Sequence, residues 1–479
     1  MAFLELLILP PLFSVLFITI QGIYRVFLHP LRKIPGPLIT KCSSLWLHYH
    51  AFIGDQCTAV HQLHEVYGPI VRVGPNDVDI SKSDALGPIY IDRGGFEKSA
   101  YYTKFDIDGH ATIFSTMSSD RRAPRAKSVL PIFSTASIKE AAGAITRCAQ
   151  QMVERMGVVA KNGKPVNILT LTRAFALDSV TAYVFQQNYG GIHEKSSELS
   201  ASLAIDGFVA VGRLYYVSHT VFDYIVAFFD LVAPDLETRR SLEAVDVFVR
   251  SLVKGTVTGG SNYPSRLLTN GMAVDETIAQ CKDVLFAGSD STGTILAMTC
   301  WFLVANPEKY ARLRDEIVQN AMTSISDLQM LPYLNGVVRE ALRLSMSVSN
   351  RLPRIVPPGG WNYDGYDFPA GANVGVAAFE LHLDRSVFPE PGHFLPERWI
   401  EPTSEMNASW LPFGKGARSC IARNLAFKEL LIATERIVAA DVLKGAKTVK
   451  DKIDIYEWFN SKTKGGKIEL LWPKQRSHS

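Results

Sequence analysis

The stretch LLILPPLFSVLFITIQGIY, residues 6–24, holds no charged side chain, and that alone divides the chain into two solvent problems. Nineteen residues in a helix extend about 28 Å at 1.5 Å each, close to the hydrocarbon thickness of a bilayer. Arg25, Arg32 and Lys33 come after the segment while only Glu5 precedes it, so the positive-inside bias leaves the rest of the chain in the cytosol. No basic n-region or small-residue cleavage site marks a secretory leader. A buried N-terminal helix is the alternative. Pro10-Pro11 disfavours a straight helix in either setting, less so in lipid. In HPLRKIPGP, residues 29–37, three prolines prevent the helix from continuing into the remainder of the chain. The expected organisation is a single-pass membrane anchor over residues 1–28, a proline-rich hinge over 29–37 and one large domain over 38–479.

That domain is long enough to bury a sizeable core. Fifty Lys and Arg against 47 Asp and Glu leave a net charge of +3, which excludes an acidic disordered chain and gives no electrostatic case for nucleic acid. Six cysteines, at 42, 57, 148, 281, 300 and 420, form no CxxC pair, against a disulfide scaffold and a multi-cysteine metal cluster. Residues 69–80 alternate around a Gly-Pro turn as a strand pair. Helical periodicity covers 136–156, 166–187, 307–322, 331–346 and 421–440. Short strands are expected near 352–376 and a hairpin around 450–472. Residues 272–303 read as one long helix, yet AGSDSTG at its centre is poor helix chemistry, and that conflict marks a functional position.

The most informative segment is LPFGKGARSCIARNLAFKELLIATERI, residues 411–437. Two glycines open a tight loop, and a single thiol, Cys420, stands immediately before a helix. Backbone N–H groups and the positive helix end favour a thiolate there. Residue chemistry alone leaves three uses open: a packed cysteine, a covalent nucleophile, or a ligand to haem iron, where a thiolate pushes electron density toward the metal.

Together with three further motifs the loop resembles the cytochrome P-450 family. Its haem-loop pattern is met by Phe413, Gly416, Arg418, Cys420 and Ala422. Its Glu-x-x-Arg pair corresponds to Glu340 and Arg343, and its Pro-Glu-Arg-aromatic segment to Pro396, Glu397, Arg398 and Trp399. Its central-helix pattern appears as Ala287-Gly288-Ser289-Asp290-Ser291-Thr292. The four elements occur in family order, and the likeness spans residues 29–475. It implies a mainly α fold with small β-sheets, a single large haem-binding domain behind an N-terminal transmembrane helix, and haem b (heme, iron protoporphyrin IX) held by the Cys420 thiolate.

The resemblance implies further roles. Glu340 and Arg343, three apart on one helix face, would by themselves be an ordinary surface pair; the family places both with Arg398 in a buried structural triad. Phe413 is expected beside the proximal sulfur, with Arg418 and Arg354 on the haem propionates. The family's early-helix cation falls on Ala126, with Arg122 at the preceding aromatic position, so Arg125 or Lys127 is expected to compensate although Pro124 interrupts that helix. His382 is expected to be structural. Ala287-Gly288 would leave room for dioxygen. Asp290 and the hydroxyls of Ser291 and Thr292 would deliver protons, Ser291 standing where threonine is commoner.

The implied activity is a monooxygenase of the endoplasmic reticulum membrane, its catalytic domain cytosolic, hydroxylating or otherwise oxidising a lipophilic small molecule. No GxGxxG nucleotide domain is evident, so NADPH would act only indirectly, through NADPH–cytochrome P-450 reductase, with cytochrome b5 a second candidate donor. Lys415, Arg423 and Lys428 are candidates for a basic docking collar. Aromatics in 96–116 and 205–232, among them Phe96, Tyr102, Phe105, Phe114, Phe208 and Tyr215, would form an apolar cover suited to a moderately large lipophilic molecule entering beside the membrane; packing of the lid and contact with membrane lipid are the alternatives. The style of YRVFLHPLRKIPGP resembles fungal microsomal members of secondary metabolism, which biases the substrate toward a terpenoid, polyketide or alkaloid intermediate. A haem-thiolate isomerase or dehydratase, or a non-catalytic haem-based binding protein, is the alternative; rearranging members commonly lose the acid and hydroxyl retained here.

Overall fold

The computed structural model describes residues 15–194, 200–232, 235–320 and 325–473. Residues 6–14 of the uncharged segment therefore lie outside the described residues. The rest of that segment belongs to an apolar helix, Val15–Leu28, whose Val15, Phe17, Ile18 and Phe27 are exposed. The proline-rich stretch ends this helix, but it is no free linker. Leu31 and Ile34 are fully buried in a second core with Ile70, Val78 and Val374, and the Arg72 N–H donates to the Pro35 carbonyl at 2.7 Å.

The helix Val274–Ala305 runs unbroken through AGSDSTG. Its hydroxyls turn back on the helix: Ser289 Oγ donates to the Leu285 carbonyl at 2.6 Å and Ser291 Oγ to that of Ala287 at 2.9 Å. Tertiary burial outweighs the weak propensity. The central helix crosses Ile168–Val180 so closely that a Cβ on Gly288 would stand 2.9 Å from Val180 Cγ2, and one on Gly293 2.7 Å from Arg173 Cα. Bareness at Gly288 thus serves helix packing. The run Ile168–Phe185 is apolar and long enough to cross a membrane, but it is a core helix with Phe175, Ala176 and Val184 fully buried.

Pro124 does not interrupt its helix, which spans Ser119–Val129. The carbonyl it leaves without a helical partner is that of exposed Asp120, which water can satisfy. The strand pair expected at 69–80 is Ile70–Gly74 against Asp77–Ile80, with Ile70 opposite Ile80. Asp77–Ile80 continues, in parallel, onto Asn373–Gly375; Arg354–Ile355 pairs antiparallel with that strand, and Glu97–Lys98 forms the sheet edge. The helices Pro332–Ser345 and Arg423–Ala439 pack on the central helix from the other side.

Candidate functional site

Cys420 is set by a short loop with a fixed path. The Cys420 N–H donates to the Phe413 carbonyl at 2.8 Å, closing the turn, and Gly414 and Gly416 take φ of +65° and +69°. A side chain on Gly416 would collide with the Tyr90 carbonyl oxygen, so the loop's second glycine is obligatory. Tyr90 is itself held, its hydroxyl donating to the Leu352 carbonyl at 2.9 Å and accepting from the Val376 N–H at 2.8 Å. Cys420 is accessible, yet surrounding protein pushes its thiol above the ordinary value, while the Ala422 N–H and Arg423 act in the opposite direction. Accessible surface combined with desolvation places the sulfur in an internal recess.

Behind the loop, the structure brings together Glu340, Arg343 and Arg398. Glu340 and Arg343 are fully buried and joined by two bonds, of 2.9 and 2.8 Å; Arg398 Nε donates to the same carboxylate at 3.2 Å and Trp399 Nε1 at 2.8 Å. His382 links this network to the loop. Its Nδ1 pairs with the Arg343 carbonyl at 3.1 Å, and its Nε2 accepts the Leu411 N–H at 2.9 Å. Burial and Arg343 depress its pKa to about 3, so the ring is neutral and structural, in line with its expected role.

On the central helix the residues that are not fully buried around Gly288 are Val284, Ala287, Gly288 and Ser291, spaced i, i+3, i+4, i+7 on one face. Ser291 belongs to this strip; Thr292 is 1% exposed and does not. Asp290 points elsewhere, to buried Arg173, whose Nη2 donates to it at 2.6 Å. Arg173 also holds Asp206 at 2.9 Å, and Lys462 reaches Asp206 at 3.2 Å. Burial raises the pKa of Asp290, with Arg173 opposing it.

Three arginines converge beside the loop. Arg354 donates to Tyr102 Oη at 3.1 Å and the Pro353 carbonyl at 3.0 Å; Arg418 donates to the carbonyls of Thr116 and Met117 at 2.8 and 2.5 Å. Arg122 donates to the Ile113 and Ala417 carbonyls at 3.2 and 3.0 Å. Burial, Arg122 and Arg354 together lower the Arg418 pKa to about 10. Arg125 is not in this group. It forms an ion pair with Glu276 at the start of the central helix and donates to the Ala111 carbonyl at 3.1 Å, while Lys127 is exposed.

The cytochrome P-450 family model matches residues 35–440. The chain is a cytochrome P-450. It is 34% identical to the cytochrome P-450 monooxygenase mfmF of Annulohypoxylon moriforme, over 96% of this chain and 99% of that one. The cytochrome P-450 monooxygenase TRI4 of Trichoderma arundinaceum is 28% identical over 91% and 89% of the two chains, and a pisatin demethylase of Fusarium vanettenii 27% over 87% and 86%. This cytochrome P-450 is therefore an oxidoreductase of the monooxygenase type, and its family's cofactor is haem with a cysteine thiolate ligand.

The residues present fit that cofactor. A recessed thiol meets the requirement for a soft axial ligand, and the Arg354, Arg418 and Arg122 guanidiniums, spending their bonds on carbonyls and a phenol, have no carboxylate partner among the described residues. The family spacing, falling on Ala126, points to Arg125 as the early-helix cation. The helix instead turns Arg122, one turn earlier, toward the loop. The signal is present in Asp120-Arg121-Arg122, but which of several arginines faces inward depends on packing.

The expected aromatics do cluster: Tyr102, Phe105 and Tyr215 are buried against one another and against Phe459, Phe114 joins them, and Phe208 stacks on Phe286 of the central helix at 5.0 Å. Phe96 does not belong here; it packs on Trp361 at 5.6 Å in the second core.

Proposed function

We propose that this cytochrome P-450 is anchored in the endoplasmic reticulum membrane and oxidises a lipophilic secondary-metabolite intermediate, with Cys420 as the haem ligand. The observation that carries the reading is the recessed, accessible Cys420 combined with the accessible strip around Gly288 on the central helix, which includes Ser291. Bound haem supplies dioxygen activation, which a thiolate ligand favours by donating electron density. The chain's own residues do the rest. Arg354, Arg418 and Arg122 hold the cofactor's carboxylates. Ser291 Oγ, already turned to the Ala287 carbonyl, positions a hydroxyl for proton transfer at the accessible strip. Asp290, tied through Arg173 to partly exposed Asp206 and to Lys462, connects that turn of helix to solvent. Phe413 and the Glu340–Arg343–Arg398 network keep the loop rigid beneath.

Electrons come from NADPH through a separate reductase, with cytochrome b5 as a second candidate donor. In support, a groove of ≈ 750 Å³ beside the loop is lined by Lys139, Arg339, Lys415, Arg423 and Lys428, together with Phe413. Lys428 contributes from a buried position, not as a surface charge. For the membrane, exposed Leu45, Tyr49 and Phe52 lie on a helix that packs near residues 211–214, where the Arg213 guanidinium is 5.7 Å from the Phe52 ring. The next helix, His219–Val232, exposes Tyr224, Phe228 and Leu231. These faces and Val15–Leu28 are apolar surfaces of the kind that a membrane interface accepts. The aromatic cover supports a lipophilic substrate, which we place among terpenoid, polyketide or alkaloid intermediates; of the relatives, pisatin demethylase is named for action on the small molecule pisatin.

Carbon monoxide added to the reduced protein should give the long-wavelength Soret band of thiolate ligation, and Cys420→Ser should abolish it. Persistence of the band in a folded serine variant overturns the assignment. Mass spectrometry after coexpression with reductase and candidate intermediates identifies the product.

A further inference from the structure

Lys98 lies at the edge of the five-stranded sheet, directly opposite Arg354 in an antiparallel pair. Side chains so paired stand about 5 Å apart at Cβ, and like charges there repel. The lysine does not escape to solvent, being 4% exposed. Its Nζ donates to the Phe114 carbonyl at 2.6 Å and sits 4.1 Å from the Tyr102 ring centre and 4.0 Å from that of Phe114. Two aromatic faces and one carbonyl do not neutralise a buried ammonium.

The groups around it make matters worse. Arg354 across the sheet, Arg418 from the Cys420 loop and Arg122 from the early helix all lower its pKa, which burial already holds well below the ordinary lysine value. One acid acts in the opposite direction, Asp283 on the central helix, and it forms no ion pair with Lys98; it is engaged by the Thr112 hydroxyl and the Phe114 N–H. Arg418 has only Glu97 as an opposing acid, again without an ion pair. Four cations from four separate elements thus converge, among the described residues, with no carboxylate in contact with any of them. Such an arrangement is complementary to an anion of more than one charge, and haem b carries two propionates.

We propose that Lys98 is a cofactor-binding residue whose ammonium pairs with a haem propionate, joining Arg122 to supply the charge that Ala126 cannot and that Arg125 gives to Glu276. The inference rests on the haem-thiolate reading of Cys420. It is specific in predicting a carboxylate-dependent role for a sheet-edge lysine, distinct from the ring and iron contacts.

The test is haem loss from the purified holoprotein to excess apomyoglobin. Lys98→Met should lose haem about 10-fold faster, as expected for one charge-assisted hydrogen bond, and Lys98→Arg should stay within about 3-fold of wild type. Proteins reconstituted with the dimethyl ester of haem should show nearly equal rates for wild type and Lys98→Met. Equal loss of native haem from wild type and Lys98→Met overturns the proposal, as does an acceleration that persists with the ester. If Lys98→Met takes up no haem, resonance Raman spectra of wild type and Lys98→Arg decide: the propionate bending mode should shift, and an unchanged mode overturns the proposal. All haem-loaded variants should keep the thiolate Soret band. Absence of that band in wild type would refute the haem-thiolate reading itself and the inference with it; its presence with unchanged haem loss refutes Lys98 alone.

Discussion

Replacing Glu340 with alanine removes the one acid in the buried triad, and the cost can be worked from its partners. The carboxylate accepts from Arg343 Nε and Nη2 at 2.9 and 2.8 Å, Arg398 Nε at 3.2 Å, Trp399 Nε1 at 2.8 Å and the Leu395 N–H at 3.1 Å. Alanine strands the fully buried Arg343 guanidinium away from water, while partly exposed Arg398 keeps the Pro389 and Glu390 carbonyls; breaking such a buried pair costs about 3–5 kcal/mol. The stranded Trp399 and Leu395 donors add about 1 kcal/mol each. Against this, Arg343 keeps the His382 and Pro391 carbonyls, both at 2.7 Å. The net expectation is about 4 kcal/mol, a large share of a typical stability of about 5–15 kcal/mol. Glu340→Gln keeps the shape and one acceptor oxygen, so it should fall between alanine and wild type. Urea unfolding monitored by tryptophan fluorescence, with Soret absorbance recording haem retention, measures both. A Glu340→Ala protein within about 1 kcal/mol of wild type would refute the reasoning, because the penalty for an unpaired buried charge leaves no room for it.

Ser291→Ala should lower product formed per NADPH by about 10-fold while leaving the thiolate Soret band intact; if coupling survives there and fails in Thr292→Ala, the proton-transfer role moves to Thr292. Gly416→Ala should abolish haem incorporation, since its Cβ meets the Tyr90 carbonyl, and a haem-replete variant with wild-type spectra would show that the loop can yield. Burial pushes the pKa of Glu429 from 4.5 up to about 8, so the folded protein keeps a proton that the unfolded chain releases above about pH 4.5, and stability falls as pH rises between those values. Glu429→Gln, which keeps a partner for Ser179 Oγ, should flatten that decline by up to about 1.4 kcal/mol per pH unit, and an unchanged pH slope counts against a protonated Glu429.

Much of the helical framework is legible in apolar periodicity, because long amphipathic runs such as 331–346 and 421–440 bury one face whatever their neighbours do. The central helix is harder. Its AGSDSTG turn looks like a breaker because propensity treats Ser and Gly as exposed residues, whereas here the serines bond back to the helix and the glycines admit a second helix. Site residues divide along the same line. Glu340, Arg343 and Arg398, which the structure joins, and Cys420, Arg354 and Arg418, whose haem contacts are proposals, all come from short stretches that single them out in the sequence. Arg122 and Lys98 do not. Each is one cation among several in DRRAPRAK and GGFEKS, and only helix phase and strand pairing select the one that faces the recess.

The distinction has a physical root in how the two halves of the site are held. The proximal side is over-determined by protein: the Arg343 carbonyl fixes His382, His382 fixes Leu411, and the Phe413 carbonyl fixes Cys420, a chain of bonds closed without any ligand. The cation side is under-determined, since Arg122, Arg354, Arg418 and Lys98 repel one another and, among the described residues, find only carbonyls, rings and a phenol. A closed network constrains spacing in the chain, because moving one residue breaks several bonds. A convergent cluster constrains only where charge arrives, so Arg122 can stand for a cation at 126 and a sheet-edge lysine can join from another element. The fold thus fixes the position of the Cys420 sulfur by itself, whereas the proposed cation rim would gain its counter-charge on binding an anion.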